Sequence, residues 1–360
     1  MIRFLIRTAI FFALTAIVTE LFFRTVIPAC EYPHMKTEDE FILKVYDSSF
    51  EKKGIYARGN FDQGRAAWSI NNDGWLSDID YLSPEQRSKP CITIIGDSFV
   101  EALLVDWNEH FATRMQRQLD NRYDVYALGM GGSSLGPYIN MARYAAKHYD
   151  PDVLIFVYTG RDLKAAVANY SRDPSEMQVR YTGNGFEEVA PRKYHASKFR
   201  RLARESSIVR YLVWNRNIDL FGGGQRVAAQ PDEELPADIR SERDKERQHI
   251  LEMAADYMIS KLRNENPNRK ILFVSDANRQ GIYEGETQFP KSANQILIEE
   301  ACARYDCYTL DLTEAFLTDW QKHKRKFNYD VDYHWNGYAH KIVAQAITDF
   351  MIENDIVTSN

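Results

Sequence analysis

From residue 91 onwards, short apolar runs alternate with longer amphipathic stretches. The apolar runs are rich in β-branched residues and predict buried strands at 92–95, 124–128, 153–158, 271–275 and 307–310. Stretches with helical periodicity lie at 108–119, 138–148, 242–263, 293–305 and 337–352. Strands that alternate with helices predict a parallel sheet with helices on both faces. The pattern therefore predicts an α/β domain over residues 90–360.

Residues 1–29 have a different pattern, an apolar run between arginines. Arg3 and Arg7 precede the run at 8–23, and Arg24 follows it. A membrane-spanning helix needs about 20 mainly apolar residues, and the run reaches this length when its flanks are included. No small-x-small cleavage site follows, so the pattern favours an uncleaved anchor over a signal peptide or a buried core helix. Basic residues before the run predict a single-pass inner-membrane protein whose remaining chain is periplasmic.

Residues 30–89 lie between this anchor and the α/β domain. A hairpin is predicted from 54–58 and 67–70, and the run 71–74 (Asn-Asn-Asp-Gly) is a strong turn signal. We call residues 30–89 the lead-in and expect it to be β-rich and to pack on the main domain.

Residues 163–243 interrupt the alternation and are called the insert. A second hairpin is predicted around Gly183–Gly185, and a basic amphipathic stretch at 198–217 predicts a cap helix or a lipid-surface segment. The charged run at 231–247 predicts a solvated loop that continues into a helix. The glycine triplet at 222–224 does not follow a strand and lacks a lysine at P-loop spacing, so it predicts a flexible loop rather than a phosphate-binding loop.

Composition excludes few functions. The formal net charge of −6 is too small to indicate a charged partner. No basic stripe with interleaved aromatic residues is present, so we expect no binding of nucleic acid. The four cysteines are too few for a disulfide scaffold, and Cys302 and Cys307 are compatible with either a disulfide or two thiols. The motifs predict no cofactor.

Polar residues follow the first predicted strand directly, in the order Gly96, Asp97 and Ser98. Parallel α/β sheets bind ligands at the carboxyl ends of their strands. A serine at a helix N-terminus lies where developing negative charge is stabilised. Serine also caps many helices. This block alone is therefore compatible with either a nucleophile or a helix cap.

A second chemically informative block precedes the last predicted helix. It contains Asp330, Asp332, His334 and His340. A histidine beside carboxylates supplies a general base and a group that orients it, as a serine nucleophile requires. A metal site would use the same residues, but His340 is six positions after His334 and not on the same helical face. We expect no metal.

The other strand ends carry small or polar residues. Residues 129–134, which we call the glycine loop, follow the second strand, and Thr159–Asp162 follows the third. With the two blocks above, these stretches resemble the SGNH (GDSL-type) hydrolases over roughly residues 90–360. The lead-in resembles that of membrane-anchored bacterial members. This resemblance implies a three-layer α/β/α sandwich with a five-stranded, flavodoxin-like parallel sheet.

The resemblance also implies roles for individual residues. Ser98 would be the nucleophile, His334 the base and Asp332 its orienting acid, with Asp330 as the alternative acid. The amides of Ser98 and Gly132 would form the oxyanion hole. Arg161 stands where the family has an oxyanion-binding asparagine, and the usual acid position, three before the histidine, is Val331.

Two hypotheses follow about function. The first is a membrane-anchored serine esterase or O-acyltransferase that acts on acyl groups, notably acetyl, on cell-envelope glycans. The second is a non-catalytic subunit that keeps the fold and binds a glycan or assembles with membrane partners. Arg161 and the insert motivate the second hypothesis. The sequence predicts contact with the membrane through residues 1–29 and identifies no protein partner.

Overall fold

The computed structural model describes residues 1–27, 29–60, 63–171, 173–193, 204–220 and 237–358. Its strands, in chain order, are β1 (Met35–Glu38), β2 (Leu43–Tyr46), β3 (Lys53–Arg58), β4 (Gly64–Ser69), β5 (Cys91–Gly96), β6 (Asp124–Gly129), β7 (Val153–Tyr158), β8 (Gln178–Tyr181), β9 (Phe186–Val189), β10 (Lys270–Ser275), β11 (Tyr308–Asp311), β12 (Asn328–Tyr329) and β13 (Asp332–Trp335). Its helices are α1 (Ile2–Thr25), α2 (Ser98–Glu101), α3 (Phe111–Gln118), α4 (Leu135–His148), α5 (Asp162–Ala165), α6 (Ser207–Arg210), α7 (Ala237–Glu265), α8 (Arg279–Glu284), α9 (Ala293–Arg304), α10 (Thr313–His323) and α11 (Gly337–Glu353).

The centre of the fold is a five-stranded sheet in the order β6–β5–β7–β10–β11, and every neighbouring pair is parallel. Counted along the chain this order is 2-1-3-4-5, the flavodoxin-like arrangement. Each predicted strand of this sheet matches an observed one to within one residue at both ends. The predicted α/β/α fold class is confirmed.

Side chains alternate between the two faces of the sheet. In β7, Leu154 and Phe156 pack into the core on one face, whereas Ile155 and Val157 pack into the core on the other. Helices α4, α7 and α9 cover the first face, and α3 and α11 pack together over the second. All six residues of β5 and of β7 are buried, which explains why their sequences lack polar alternation.

The lead-in folds as two antiparallel pairs, β1–β2 and β3–β4. Its predicted turn contains Gly74, whose φ is +87° and whose carbonyl accepts a 2.8 Å hydrogen bond from the amide of Tyr46. A Cβ at Gly74 would lie 2.7 Å from the carbonyl oxygen of Tyr46, so only glycine fits this turn. The lead-in therefore fixes Tyr46, which is fully buried in the same core as α4.

Helix α1 is long and apolar enough to cross a membrane, and its side chains are not buried in the rest of the chain. Signal sequences at an N-terminus pass the same test of length and composition. The carboxylate of Glu20 accepts hydrogen bonds from the amides of Ser207 (2.7 Å) and Ile208 (3.2 Å), and Phe23 stacks on Tyr211 at 4.3 Å. These contacts explain an acidic residue inside an apolar helix, since Glu20 caps α6 of the insert.

Some predicted helices have other bounds in the structure. The helix predicted over 108–119 is divided at His110, whose backbone is extended. As the N-cap of α3, the His110 ring accepts a hydrogen bond from the amide of Ala112. Helix α2 ends at Glu101, because Ala102 has a left-handed backbone conformation. Helix α10 was not predicted.

The insert contains the predicted hairpin, formed by β8 and β9 around Gly183–Gly185. Its charged run is helical from Ala237 onwards, so the predicted loop is too long. The glycine triplet and residues 198–203 of the basic stretch lie outside the described residues.

Candidate active site

Ser98 is the first residue of α2, immediately beyond the carboxyl end of β5. Asp97 caps this helix, because its carboxylate accepts a 2.9 Å hydrogen bond from the amide of Phe99. The interpretation of Ser98 as the helix cap is therefore wrong. Gly96 is required at the turn, since a Cβ there would lie 2.3 Å from a methyl group of Val100. The turn leaves the Ser98 hydroxyl available for chemistry.

The Ser98 hydroxyl lies beside His334, although the two residues are 236 positions apart in the chain. The distance between Oγ of Ser98 and Nε2 of His334 is 2.7 Å. On the other side of the ring, Nδ1 lies 2.5 Å from Oδ1 of Asp332. An ionised carboxylate only accepts hydrogen bonds, so this contact assigns the ring proton to Nδ1. The lone pair on Nε2 then faces the serine proton, which is the arrangement of a general base.

Asp332 is held in its ionised form. Its side chain is 9% exposed, and the Nε atom of Arg58 lies 3.7 Å from Oδ2. Burial acts to raise the pKa of Asp332, but the hydrogen bonds from His334 and the charge of Arg58 outweigh it, and the pKa falls below its ordinary value. Arg58 is itself fixed, because its Nη1 donates a 2.9 Å hydrogen bond to the carbonyl of Trp214 in the insert.

A cavity of about 170 Å³ opens beside Ser98. Helix α2 and the residues after it contribute apolar walls at Phe99, Leu103 and Leu104, while the lead-in contributes Tyr32, Tyr56 and Arg58. No motif indicates the three lead-in residues, because β3 and the segment before β1 reach the site only through the fold. The lead-in is thus part of the candidate site.

The glycine loop follows β6 and lies against α2, because Gly96 and Gly129 are register partners in adjacent strands. A Cβ at Gly129 would lie 2.1 Å from the backbone nitrogen of Glu101. Gly132 has a φ of +85°, which favours glycine. The structure thus brings the loop next to Ser98, and the role of the Ser98 and Gly132 amides in an oxyanion hole stays a prediction.

Arg161 does not join this group. It follows β7, its side chain is exposed, and it does not line the cavity beside Ser98. Within the part of the chain that the structure describes, its guanidinium makes no hydrogen bond or ion pair. Arg161 is the N-cap residue of α5, and its charge acts on the buried carboxyl groups of Asp97 and Asp162, so its role at the oxyanion stays a prediction.

Two other residues of the C-terminal block form polar contacts elsewhere, although His340 also lines the cavity beside Ser98. Asp330 is exposed and pairs with Lys326 at 2.8 Å, so Asp332 rather than Asp330 lies behind the His334 ring. His340 is fully buried, and its Nδ1 accepts a 3.0 Å hydrogen bond from the amide of Phe111. Burial lowers the pKa of His340, which keeps the ring neutral. A metal site that uses Nδ1 of His340 would have to break the bond to Phe111.

Comparison with known proteins gives weak likenesses. No family model and no curated protein matches the chain. The chain is similar to a two-domain esterase active on acetylated mannans, at 11% identity and a TM-score of 0.39, over 74% of this chain and 50% of that one. It is similar to an acetyl xylan esterase at 14% identity and a TM-score of 0.38, over 73% and 100% of the two chains. The chain is also similar to a carbohydrate esterase family 2 enzyme of Corynascus thermopiles (Myceliophthora fergusii), at 12% identity and a TM-score of 0.37. This similarity covers 78% of this chain and 69% of that one. We therefore infer function from the site alone.

The first prediction separates the two candidate acids. Asp332→Asn should lower kcat on an ester substrate by about 10³- to 10⁴-fold, because an amide can also donate to Nδ1, so it does not fix the ring proton there, and it has no charge to stabilise the imidazolium. Asp330→Asn should leave kcat within about twofold, because its carboxylate is exposed and bonded to Lys326. Steady-state kinetics of both variants checks this. Equal losses in the two variants would contradict the assignment of Asp332.

Asp97 and Asp162 are both buried beneath the site. Burial, followed by repulsion from Asp162, raises the pKa of Asp97 well above its ordinary value. Burial also raises the pKa of Asp162 to about 6, although its carboxylate accepts hydrogen bonds from the amide (2.8 Å) and hydroxyl (3.0 Å) of Thr159. The pair therefore retains protons in the folded protein at pH values where the unfolded chain has lost them.

This difference predicts how stability depends on pH. A carboxyl group whose pKa is higher in the folded than in the unfolded protein contributes stability at low pH. This contribution is complete below pH 3.8, the pKa of the unfolded chain, and is lost as the pH rises through the folded-state pKa. The shift of Asp162 alone corresponds to at most about 3 kcal/mol. The double variant Asp97→Asn/Asp162→Asn should therefore gain free energy of unfolding relative to wild type between pH 4 and pH 7. Denaturant unfolding of the full chain in detergent checks this, and a constant difference across that range would contradict it.

Proposed function

We propose that this protein is a serine-dependent ester hydrolase or O-acyltransferase that works through an acyl group on Ser98. The observation that carries the proposal is the continuous contact from Ser98 to His334 to Asp332, with distances of 2.7 Å and 2.5 Å. A serine hydroxyl is a weak nucleophile until an adjacent base accepts its proton. Asp332 in turn orients that base, so the three groups have the roles that acyl transfer requires.

In the first half-reaction, Oγ of Ser98 attacks the ester carbonyl carbon while its proton passes to Nε2 of His334. The electron pair of the carbonyl bond moves to oxygen and forms a tetrahedral oxyanion. When that intermediate collapses, the bond to the alcohol oxygen breaks, and the leaving oxygen takes the proton from His334. The products are a free alcohol and an acyl-Ser98 ester.

In the second half-reaction, a water molecule or a sugar hydroxyl attacks the acyl carbon and gives its proton to His334. Collapse of the second intermediate returns that proton to Ser98. Water yields a carboxylic acid and makes the protein an esterase, whereas a sugar hydroxyl yields a new ester and makes it an acyltransferase. Both outcomes use the same residues, so the acceptor that reaches the cavity decides between them.

The amides of Ser98 and Gly132 are the donors that we propose for the oxyanion. A preorganised donor of this kind contributes about 3 kcal/mol to transition-state stabilisation. The amide of Ser98 lies at the start of α2, where a helix favours negative charge. We assign Arg161 no part in this role, because it does not line the cavity, so two backbone donors would suffice here.

We propose a short acyl group, notably acetyl, on a glycan as the substrate. The cavity of about 170 Å³ beside Ser98 can hold an acetyl group and part of one sugar. Tyr32 and Tyr56 present amphipathic rings in its wall, a surface on which a sugar can stack while its hydroxyls bond to the phenols.

We propose that α1 anchors the protein in the inner membrane and that the catalytic domain is periplasmic. Arg3 and Arg7 before the apolar stretch support this orientation. The contacts of Glu20 with α6 and of Phe23 with Tyr211 support a domain that sits close to the end of the anchor. Acylated glycans of the envelope would reach the site from that side.

A second candidate function has one observation in its favour. Arg161 replaces an asparagine that the resemblance associates with catalysis, and its side chain lies outside the cavity. A non-catalytic subunit that binds a glycan in this cavity, within an envelope assembly, would tolerate that change. The alignment of Ser98 and His334 would then have no chemical consequence.

Labelling and turnover together test the proposal. We expect a fluorophosphonate probe to modify wild-type protein at Ser98, and Ser98→Ala to abolish both labelling and acetyl-ester hydrolysis. Ser83→Ala, at a surface serine bonded to Glu85, is the control and should retain both. If wild-type protein is never labelled while an acetylated glycan still binds, the binding subunit is the correct function.

A further inference from the structure

One buried acid beside Ser98 has no part in the mechanism above. Glu101 is the last residue of α2, its side chain is 6% exposed, and it lines the same cavity as Ser98 and His334. A buried carboxyl group costs free energy unless its oxygens receive hydrogen bonds. Its partners therefore indicate what it holds.

Two hydrogen bonds converge on one oxygen of Glu101. Oε1 accepts a 2.8 Å hydrogen bond from the amide of Gly131 and a second hydrogen bond from the hydroxyl of Tyr46. Tyr46 is fixed in turn, because its amide donates to the carbonyl of Gly74 at 2.8 Å. The glycine loop is thus connected through Glu101 to the lead-in.

The glycine loop needs such an anchor. Gly131 and Gly132 are consecutive and can rotate far more freely than other residues. A Cβ at Gly131 would lie 2.8 Å from Oε2 of Glu101, so the carboxyl group occupies the space beside the loop that a side chain would fill. Holding the amide of Gly131 on Glu101 limits the rotation that would otherwise carry the next amide, that of Gly132, away from Ser98.

We propose that Glu101 is a positioning residue that, with Tyr46, holds the glycine loop so that the amide of Gly132 faces the reacting carbonyl oxygen. This inference rests on the proposed acyl chemistry at Ser98. It assigns the lead-in a positioning role in the reaction, because Tyr46 belongs to β2 and bonds to Glu101, which in turn holds the loop.

The charge of Glu101 is not required for this role. Burial raises the pKa of its carboxyl group, although the hydrogen bonds from Tyr46 and Gly131 act in the opposite direction. A glutamine can accept both hydrogen bonds on its amide oxygen and carries no negative charge near the oxyanion. Glu101→Gln should therefore rescue what Glu101→Ala loses.

The test compares steady-state kinetics of the full chain on a p-nitrophenyl acetate substrate. We expect Glu101→Ala to lower kcat by about 10²- to 10³-fold with KM within about threefold, as for loss of an oxyanion donor. Glu101→Gln should stay within about tenfold of wild type, and Tyr46→Phe should lose about tenfold. The rate of fluorophosphonate labelling at Ser98 should fall in parallel, because phosphonylation builds negative charge on a similar oxygen.

Tyr149→Phe is the matched control, since its hydroxyl donates a 2.7 Å hydrogen bond to the carboxylate of Asp73 away from the cavity. It should keep the wild-type kcat, and circular dichroism should show all the variants folded. The inference is overturned if Glu101→Ala keeps its kcat or raises only KM. It is also overturned if Glu101→Ala unfolds and Glu101→Gln is as slow as a Ser98→Ala variant. A wild-type protein that neither turns over the ester nor labels at Ser98 overturns the proposed function and this inference together.

Discussion

The site depends on how closely α2 approaches the glycine loop. A Cβ at Gly129 would overlap the backbone of Val100 and Glu101, so the two segments pack with no side chain between them. That contact places the loops that follow β5 and β6 next to one another at one edge of the sheet. A nucleophile and its oxyanion donors must lie within a few ångströms of the same carbonyl group, and this packing is what permits it.

The remaining parts of the site come from distant regions of the chain. His334 and Asp332 lie on β13, and His334 packs against Phe99 of α2 with ring centroids 5.1 Å apart. Arg58 from β3 bonds to the insert and lies behind Asp332. Through Arg58, the lead-in and the insert therefore support the groups that we propose to be catalytic.

The sequence predicted the sheet well because its strands are wholly buried runs of β-branched and aromatic residues, as in β5 and β7. It predicted Ser98, His334 and Asp332 as a group because of their resemblance to a known family. It could not predict Arg58 or Tyr46, which carry no local signal and depend on tertiary contacts. The expectation for Arg161 came from its position in a motif, whereas the direction of its side chain depends on the turn after β7.

The central claim is that Ser98 carries the acyl group during turnover. Mass spectrometry of protein quenched during reaction with an acetyl ester tests it most directly, because it detects the covalent intermediate itself. We expect a fraction of the chains to gain one acetyl group and the modified peptide to map to Ser98. Ester turnover with no acetylated Ser98, or with the acetyl group on another residue, would contradict the account.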